Sequence, residues 1–189
     1  MASDRQLTPK AQQTRESLVM AASALLREGG PKNVSYRRVS ERAGAASSSV
    51  GYYFDSIDDL LSEAADYNMK MWAGRAELAA ERAETLSNAD CHTHIIDLLI
   101  EACLPRGFSI PAAHYEQLMW ASESSAVTNA YRKGRIRLNA AISRILNRAG
   151  YEDVDPRLVV AVVDGAAVAG LSEGYDVAGH ARTLLGVIL

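Results

Sequence analysis

The sequence SYRRVSERAGAASSSVGYYF, which runs from Ser35 to Phe54, predicts two short helices joined by a tight turn. Ser35 is a favourable N-cap for the first helix. Gly44 ends that helix, because glycine readily adopts the left-handed backbone that such a turn needs. The second helix is expected over about residues 47–54, where Val50 and Phe54 lie four residues apart on one apolar face. Two short helices around a glycine turn are typical of a helix-turn-helix.

The outward face of this segment has the chemistry that DNA binding requires. Small hydroxyl side chains and Gly51 allow the backbone to approach DNA closely, while tyrosine hydroxyls and a helix N-terminus suit phosphate oxygens. The residues predicted to contact DNA are Ser35, Arg37, Arg38, Ser47, Ser48, Ser49, Gly51, Tyr52 and Tyr53. The competing interpretation is an ordinary helical hairpin with a solvated basic face, in which either tyrosine packs on a neighbouring helix.

Helix start and stop signals continue along the chain. Thr8 and Pro9 form an N-cap followed by proline at the first helical position. Asp155 and Pro156 repeat this pattern before a helix that ends near Gly174. Further helices are predicted over about residues 56–82, 95–104, 111–124, 127–149 and 177–189. No segment alternates apolar and polar residues between turn signals as a strand does. The predicted fold class is therefore all-α with about nine helices: a three-helix N-terminal helix-turn-helix domain and a helical C-terminal domain.

Charge is divided unevenly along the chain. The net charge is −3, but residues 1–56 hold eight Lys or Arg against five Asp or Glu, and residues 57–189 hold twelve against eighteen. A basic module on an acidic body fits DNA binding that is confined to one end. We therefore predict a DNA-binding domain over residues 1–56 and a second helical domain over residues 57–189.

The sequence carries no sign of export or of a membrane span. Two cysteines, Cys91 and Cys103, are too few for a disulfide framework and indicate a reducing compartment. Residues 1–10 lack the apolar region of a signal peptide. The most apolar stretch, residues 158–171, is short and contains Asp164. A cytoplasmic protein without membrane association is expected.

Residues 14–61 resemble the TetR (TetR/AcrR) family of bacterial repressors. The matching residues are Leu18, Ala22, Leu25, Leu26, Gly29, Ser35, Val39, Ala43, Gly44, Ser49, Val50, Tyr52, Tyr53, Phe54, Leu60 and Leu61. The resemblance implies a homodimeric transcriptional repressor that binds a near-palindromic double-stranded DNA operator. It also implies that the C-terminal domain serves dimerisation and binds a small-molecule effector that lowers the affinity for DNA.

Three residues depart from the family pattern. Ala46 stands where the family usually has Ser or Thr before the recognition helix, so capping is expected to shift to Ser47. Gly51 replaces a frequent aromatic residue and Ile57 a frequent lysine, so one contact to DNA and one to a phosphate are missing. The candidates to compensate are Arg37, Arg38 and Arg42.

The helix predicted from Pro156 to Glu173 is apolar on nearly every side, which predicts burial on all sides. In a chain of this size such a helix usually needs a partner subunit, and the resembled family forms its dimer from the last two helices of each chain. The predicted dimer contacts are Val159, Val163, Ala166, Ala169, Gly170, Leu184 and Ile188. The alternative is a helix at the centre of a single chain's core.

Methionine and aromatic side chains with a few polar groups recur on two of the predicted helices, and such residues commonly line ligand pockets. The predicted effector contacts are Tyr67, Met71, Trp72, Cys103, Phe108, His114, Tyr115, Met119, Trp120 and Tyr131. The same residue types are common in hydrophobic cores, so both interpretations stay open. The effector is expected to be mostly apolar.

No motif for catalysis or for a cofactor is present. Cys91, His92 and His94 resemble a metal cluster, but side chains at these spacings do not converge and no fourth ligand is placed. Neither a nucleophile elbow nor a phosphate loop occurs. No metal, no cofactor and no enzymatic activity are therefore expected. The rival hypotheses are a helical protein that sequesters a hydrophobic metabolite without binding DNA, which the three departures would favour, and an all-α enzyme.

Overall fold

The computed structural model describes residues 8–46, 48–104 and 111–189, in which ten α-helices and no strand occur. The helices are α1 (Pro9–Gly29), α2 (Tyr36–Ala43), α3 (Ser49–Tyr53), α4 (Ile57–Thr85), α5 (Asn88–Thr93), α6 (Ile95–Cys103), α7 (Pro111–Trp120), α8 (Ser125–Ala149), α9 (Pro156–Glu173) and α10 (Val177–Ile188). Single 3₁₀ turns occupy Pro31–Asn33 and Ala121–Glu123. The predicted all-α fold class is confirmed.

Capping residues set several helix ends where the sequence predicts them. Thr8 caps α1 and Asp155 caps α9, each accepting a hydrogen bond from a backbone N–H of the first turn, at 3.3 and 2.8 Å. Gly174 ends α9 with φ 80° and ψ 22°, in the left-handed region. The short helix α5 is additional to the predicted set, and it begins after Ser87, whose hydroxyl accepts from the N–H of Asp90 at 3.1 Å.

Two compact units make up the chain. The N-terminal unit extends to Asn68 and also contains Gln117–Tyr131. The C-terminal unit comprises Met69–Glu116 and Arg132–Leu189. Helices α4, α7 and α8 run continuously through these boundaries. The functional boundary predicted between residues 56 and 57 lies at the start of α4, inside the N-terminal unit, and stays a prediction.

One hydrophobic core holds the N-terminal unit together. Its most deeply buried members include Leu18 and Leu26 of α1, Val39 of α2, and Val50 and Phe54 at α3, none of them more than 2% exposed. Burying an aliphatic or aromatic side chain of this size stabilises a fold by about 1.5–3 kcal/mol. The two short helices of the predicted helix-turn-helix are therefore fixed against α1 by burial.

The corner between α7 and α8 belongs to the same core. In this corner, the residues buried in the core are Ala121, Val127 and Ala130. Lys32 lies 2.7 Å from the carboxylate of Glu123. Gly30 has a φ of 70°, and a Cβ there would lie 2.8 Å from the Cβ of Trp120, so Trp120 packs directly on this glycine.

The C-terminal unit has a separate core along α8, α9 and α10. Its fully buried side chains there include Leu138, Ile142, Ile145, Val159, Val163, Ala166 and Leu185. Both cysteines, Cys91 and Cys103, are buried as free thiols. Within the described ranges, no helix has the length and apolar character that crossing a membrane requires.

Two helical glycines of the C-terminal unit should respond oppositely to alanine. A Cβ on Gly134 would lie 2.5 Å from the Cβ of Met69, which cannot swing away, whereas a Cβ on Gly74 meets nothing within 4 Å. Gly134→Ala should therefore lower the free energy of unfolding by about 1–3 kcal/mol through overpacking. Gly74→Ala should raise it by about 0.5–1 kcal/mol through helix propensity. Urea denaturation of both variants tests this, and a stabilised Gly134→Ala protein would contradict the close packing of α8 on α4.

Candidate functional sites

The turn between α2 and α3 has the geometry of a helix-turn-helix. The Ser35 hydroxyl accepts from the backbone N–H of Arg38 at 3.4 Å and so caps α2. Gly44 follows the helix with φ 64° and ψ 28°, and its N–H donates to the carbonyl of Glu41 at 3.3 Å. These local hydrogen bonds reverse the chain between the two helices, as the sequence predicts.

The outward face of α3 is small and polar. Ser48, Gly51 and Tyr52 are exposed, and Tyr52 retains 66% of its accessible surface. Tyr53 is half-buried against the core and meets the Tyr52 ring edge-on, with ring centroids 4.9 Å apart. Ser49 is half-buried, and Ser47 lies outside the described residues. Of the two tyrosines, Tyr52 is the more exposed to solvent.

The three arginines of α2 differ in their availability. Arg37 is exposed and lies 3.8 Å from Glu41 one turn along the helix. Arg38 is exposed, and no ion pair involves it among the described residues. Arg42 lies 2.5 Å from the carboxylate of Glu28, so its charge is already engaged within the chain. Arg37 and Arg38 are therefore better candidates for phosphate contacts than Arg42.

The positions that depart from the family pattern have defined surroundings. A Cβ on Gly51 would meet only the Tyr36 ring, at 3.8 Å, so a side chain fits there. Ile57 packs partly against the core. The first turn of α4 carries Asp58 and Asp59, and these carboxylates disfavour a phosphate at that helix end.

A second group of residues, which we call the polar cluster, lies in the C-terminal unit. It consists of Trp72, Arg75, Cys103, His114, Tyr115, Arg135 and Asp164. Trp72 donates from Nε1 to the Cys103 carbonyl at 3.4 Å and meets the His114 ring edge-on at 4.6 Å. The guanidinium of Arg135 lies over the Trp72 ring, 4.8 Å from its centroid.

Asp164 links three helices of the polar cluster. Its carboxylate lies 3.4 Å from the Arg135 guanidinium and accepts from the Tyr115 hydroxyl at 3.4 Å. Burial raises the pKa of Asp164 above its usual range, although Arg135 acts in the opposite direction. Burial also raises the pKa of the Cys103 thiol to about 12, so this thiol is not a thiolate nucleophile at neutral pH.

His114 and Arg75 have no hydrogen-bonded or ion-paired partner among the described residues. Burial lowers the pKa of His114 to about 4, with Arg75 and Arg135 adding to the effect, so its imidazole is neutral at pH 7. Its Nε2 is buried and makes no hydrogen bond within the described part of the chain. Arg75 is half-buried, and burial lowers its pKa as well.

The predicted effector contacts do not all lie together. Trp72, Cys103, His114 and Tyr115 meet in the polar cluster. Met71 and Met119 are exposed, while Tyr67, Trp120 and Tyr131 belong to the N-terminal unit, where Tyr131 bonds to Gln117. Phe108 lies outside the described residues. The sequence analysis missed Arg75, Arg135 and Asp164, because only chain packing brings α4, α8 and α9 together.

The predicted dimer contacts are divided between core and surface. Val159, Val163, Ala166 and Gly170 are buried within the single chain, and a Cβ on Gly170 would lie 3.0 Å from Val177 of α10. Ala169, Leu184 and Ile188 are half-buried. The four buried residues belong to the core of the single chain, and the predicted dimer contacts stay a prediction. The exposed apolar and small residues of α9 instead form a stripe of Leu158, Ala161, Gly165, Val168 and Leu171.

Cys91 and His92 have separate partners in the structure. Cys91 is buried, with its thiol 4.0 Å from the Ile145 carbonyl, and the His92 ring stacks on Tyr151 and lies 3.0 Å from the Ala149 carbonyl. Among the residues that the structure describes, no three His, Cys, Asp or Glu side chains converge on a metal position.

Solved structures share this architecture over nearly the whole chain. A TetR transcription regulator from Haloarcula marismortui has a TM-score of 0.66 and 22% identity, covering 91% of this chain and 94% of its own. A protein from Saccharomonospora viridis in complex with choline has a TM-score of 0.70 and 18% identity, covering 94% and 96%. The multidrug binding protein EbrR complexed with proflavin has a TM-score of 0.66 and 22% identity, covering 93% and 99%. No curated protein is significantly similar in sequence.

The fold and the helix-turn-helix define a DNA-binding regulator of transcription. Residues 18–64 match the family model for bacterial regulatory proteins of the tetR family. Over these residues the chain carries a DNA-binding domain of the tetR type.

Removing a free guanidinium should weaken DNA binding more than removing a paired one. Arg38→Ala should lower affinity for an operator and for scrambled DNA alike, and reduce the slope of log affinity against log salt by about one, because one phosphate contact is lost. Arg42→Ala is the matched control, since its guanidinium is held by Glu28. Fluorescence anisotropy at several salt concentrations measures both quantities. Equal losses in the two variants would contradict the assignment of the phosphate-contacting face.

Proposed function

We propose that this chain is a homodimeric repressor that binds a near-palindromic operator and releases it when a small-molecule effector binds the polar cluster. The observation that carries the proposal is the helix-turn-helix itself, a capped α2, a left-handed Gly44 and an α3 whose outward face is small, polar and exposed. The match of residues 18–64 to the TetR family supports the DNA-binding role.

Affinity for DNA is expected to come mainly from phosphate contacts. The outward side chains of α3 are short, so few can make the bidentate base contacts that arginine makes with guanine. Tyr52, Arg37, Arg38 and the serine hydroxyls supply donors for phosphate oxygens. In a dimer, two α3 helices would enter major grooves about 34–36 Å apart, one helical turn of DNA.

The exposed stripe on α9 is the proposed dimer interface. Leu158, Ala161, Gly165 and Val168 recur at intervals of three and four residues, the spacing by which one helix face packs against another helix. Val187, 79% exposed on α10, adds to the apolar surface. Small residues at Ala161 and Gly165 allow the helices of two subunits to approach closely.

Helix α7 is the element through which we expect effector binding to affect DNA binding. It contributes His114 and Tyr115 to the polar cluster and Trp120 to the N-terminal unit, where Trp120 packs on Gly30 after α1. An effector that displaces α7 would therefore disturb the packing of Trp120 on Gly30.

A charge on the α9 stripe should split the dimer without unfolding the chain. Val168 is 53% exposed in the single chain, so Val168→Glu leaves the core intact but would bury an unpaired carboxylate at the interface. Leu78→Glu, at an exposed site on α4, is the matched control and should remain dimeric. Sedimentation measures the oligomeric state and circular dichroism the fold. A helical, dimeric Val168→Glu protein would exclude this stripe as the interface.

The regulatory function is tested by selecting operator DNA from a random pool and titrating the selected site. The protein should prefer one near-palindromic sequence, and a ligand that raises its melting temperature should release that DNA, because binding to the two sites is linked. A protein without any sequence preference is not a repressor. Ligands that stabilise the protein but leave DNA affinity unchanged would instead favour a protein that sequesters a metabolite.

A further inference from the structure

The polar cluster contains more positive charge than its own carboxylate can balance. Arg75 and Arg135 both act electrostatically on His114, whereas Asp164 is the carboxylate of the cluster. Asp164 is already engaged, because it pairs with Arg135 and accepts the Tyr115 hydroxyl. Arg135 and Tyr115 are therefore the partners of Asp164, and the second arginine of the polar cluster has no carboxylate partner within it.

Arg75 is that second arginine. It lies on α4 three residues after Trp72, on the same side of the helix. Within the described ranges it makes no ion pair, and no carboxylate offsets the effect of burial on its pKa. The undescribed residues 105–110 include no Asp or Glu. Burying a cation without a partner is costly, so a guanidinium in this position favours an anionic ligand.

His114, whose pKa is lowered by burial and in part by Arg75, supplies a second unsatisfied group of the polar cluster. Its ring is held edge-on between Trp72, at 4.6 Å, and Tyr115, at 5.2 Å, and Nε2 is buried with no hydrogen-bond partner in the described part of the chain. In the neutral imidazole, the tautomer protonated at Nε2 is a hydrogen-bond donor. A guanidinium and an N–H donor next to an indole ring match a carboxylate attached to an aromatic or apolar group.

We propose that the effector is an organic anion, a carboxylate carried on an aromatic or apolar group, which the polar cluster binds through Arg75 and His114. This inference rests on the proposed effector role of the cluster and names the chemical class of its ligand. A cationic effector is disfavoured, because it would meet two guanidinium groups while the one carboxylate is already paired.

Matched pairs of probes test the charge requirement. Naphthoate and octanoate are each compared with their primary amides and with naphthylmethylamine, by tryptophan fluorescence and by melting temperature. The carboxylates should bind at least about tenfold more tightly than the amides, as expected for a charge-assisted hydrogen bond, and the amine should bind least. Equal affinity of acid and amide, tighter binding of the amine, or no binding of either carboxylate would overturn the proposal.

Variants assign the preference to Arg75. Arg75→Gln should abolish the difference between acid and amide, and Arg75→Lys should restore part of it. Arg82→Gln is the matched control, because Arg82 lies on the same helix but is exposed and pairs with Glu101 at 2.9 Å. A preference that survives in Arg75→Gln would overturn the assignment. A fold that depends on Arg75 is detected separately, as loss of helicity or of cooperative unfolding.

The change in the pKa of His114 on ligand binding is a further test. If Arg75 served only to stabilise the fold, no such change would be expected. The pKa of His114 is about 4 in the unliganded protein, lowered by burial and by Arg75 and Arg135. The Tyr115 ring, whose hydroxyl bonds to Asp164, lies against the imidazole. A carboxylate bound at Nε2 should raise this pKa, which NMR of the ring follows directly. An unchanged pKa in the presence of bound naphthoate would overturn the contact with His114.

DNA release separates this inference from the proposed function. If naphthoate binds through Arg75 but leaves operator affinity unchanged, the anion site stands and the effector role fails. If a neutral or cationic compound releases the operator and Arg75→Gln does not alter its effect, the regulator stands and the anionic class of effector fails.

Discussion

Burial of Val50 and Phe54 against α1 is the contact on which the DNA-binding surface depends. Helix α3 has only five residues, too few to be stable as an isolated helix in water. Its orientation therefore comes from the core that it shares with α1 and α2. Because these two side chains point inward, Ser48, Gly51 and Tyr52 are left at the surface. A change in the core of this unit would alter DNA binding without touching a contact residue.

The polar cluster shows how charge is accommodated away from water. Arg135 lies over Trp72 and pairs with Asp164, so its charge is met by both an aromatic face and a carboxylate. Such pairs contribute little net stability, because desolvation offsets much of the attraction. In the proposed effector site, the pairing of Arg135 with Asp164 leaves Arg75 as the charge that would favour an anionic ligand.

The close packing of Trp120 on Gly30 is central to the proposed regulation. Helix α7 has residues in both compact units, and the Trp120 ring packs on Gly30, where no larger residue fits beside it. Tight contacts of this kind transmit small displacements, because packed side chains have few alternative arrangements. The same argument identifies Gly30 as a sensitive position, since its φ of 70° also disfavours other residues.

Local signals in the sequence were sufficient for most of the helices, the helix-turn-helix and the resemblance to the TetR family. Thr8, Ser35, Gly44 and Asp155 act through hydrogen bonds and dihedral angles within a few residues, so their effects can be predicted without knowing the fold. Helix α5 is six residues long, and so short a helix has too little periodicity to be recognised.

Long-range packing determined the ion pairs and the buried and exposed faces of the helices. The sequence marks Asp164 only as a charge that argues against a membrane span, yet Asp164 forms an ion pair with Arg135 of α8. Helix α9 is apolar nearly all round, so its sequence could not separate the buried Val163 from the exposed Val168. Caps and turns are local, whereas burial and ion pairing arise only when helices far apart in the chain are brought into contact.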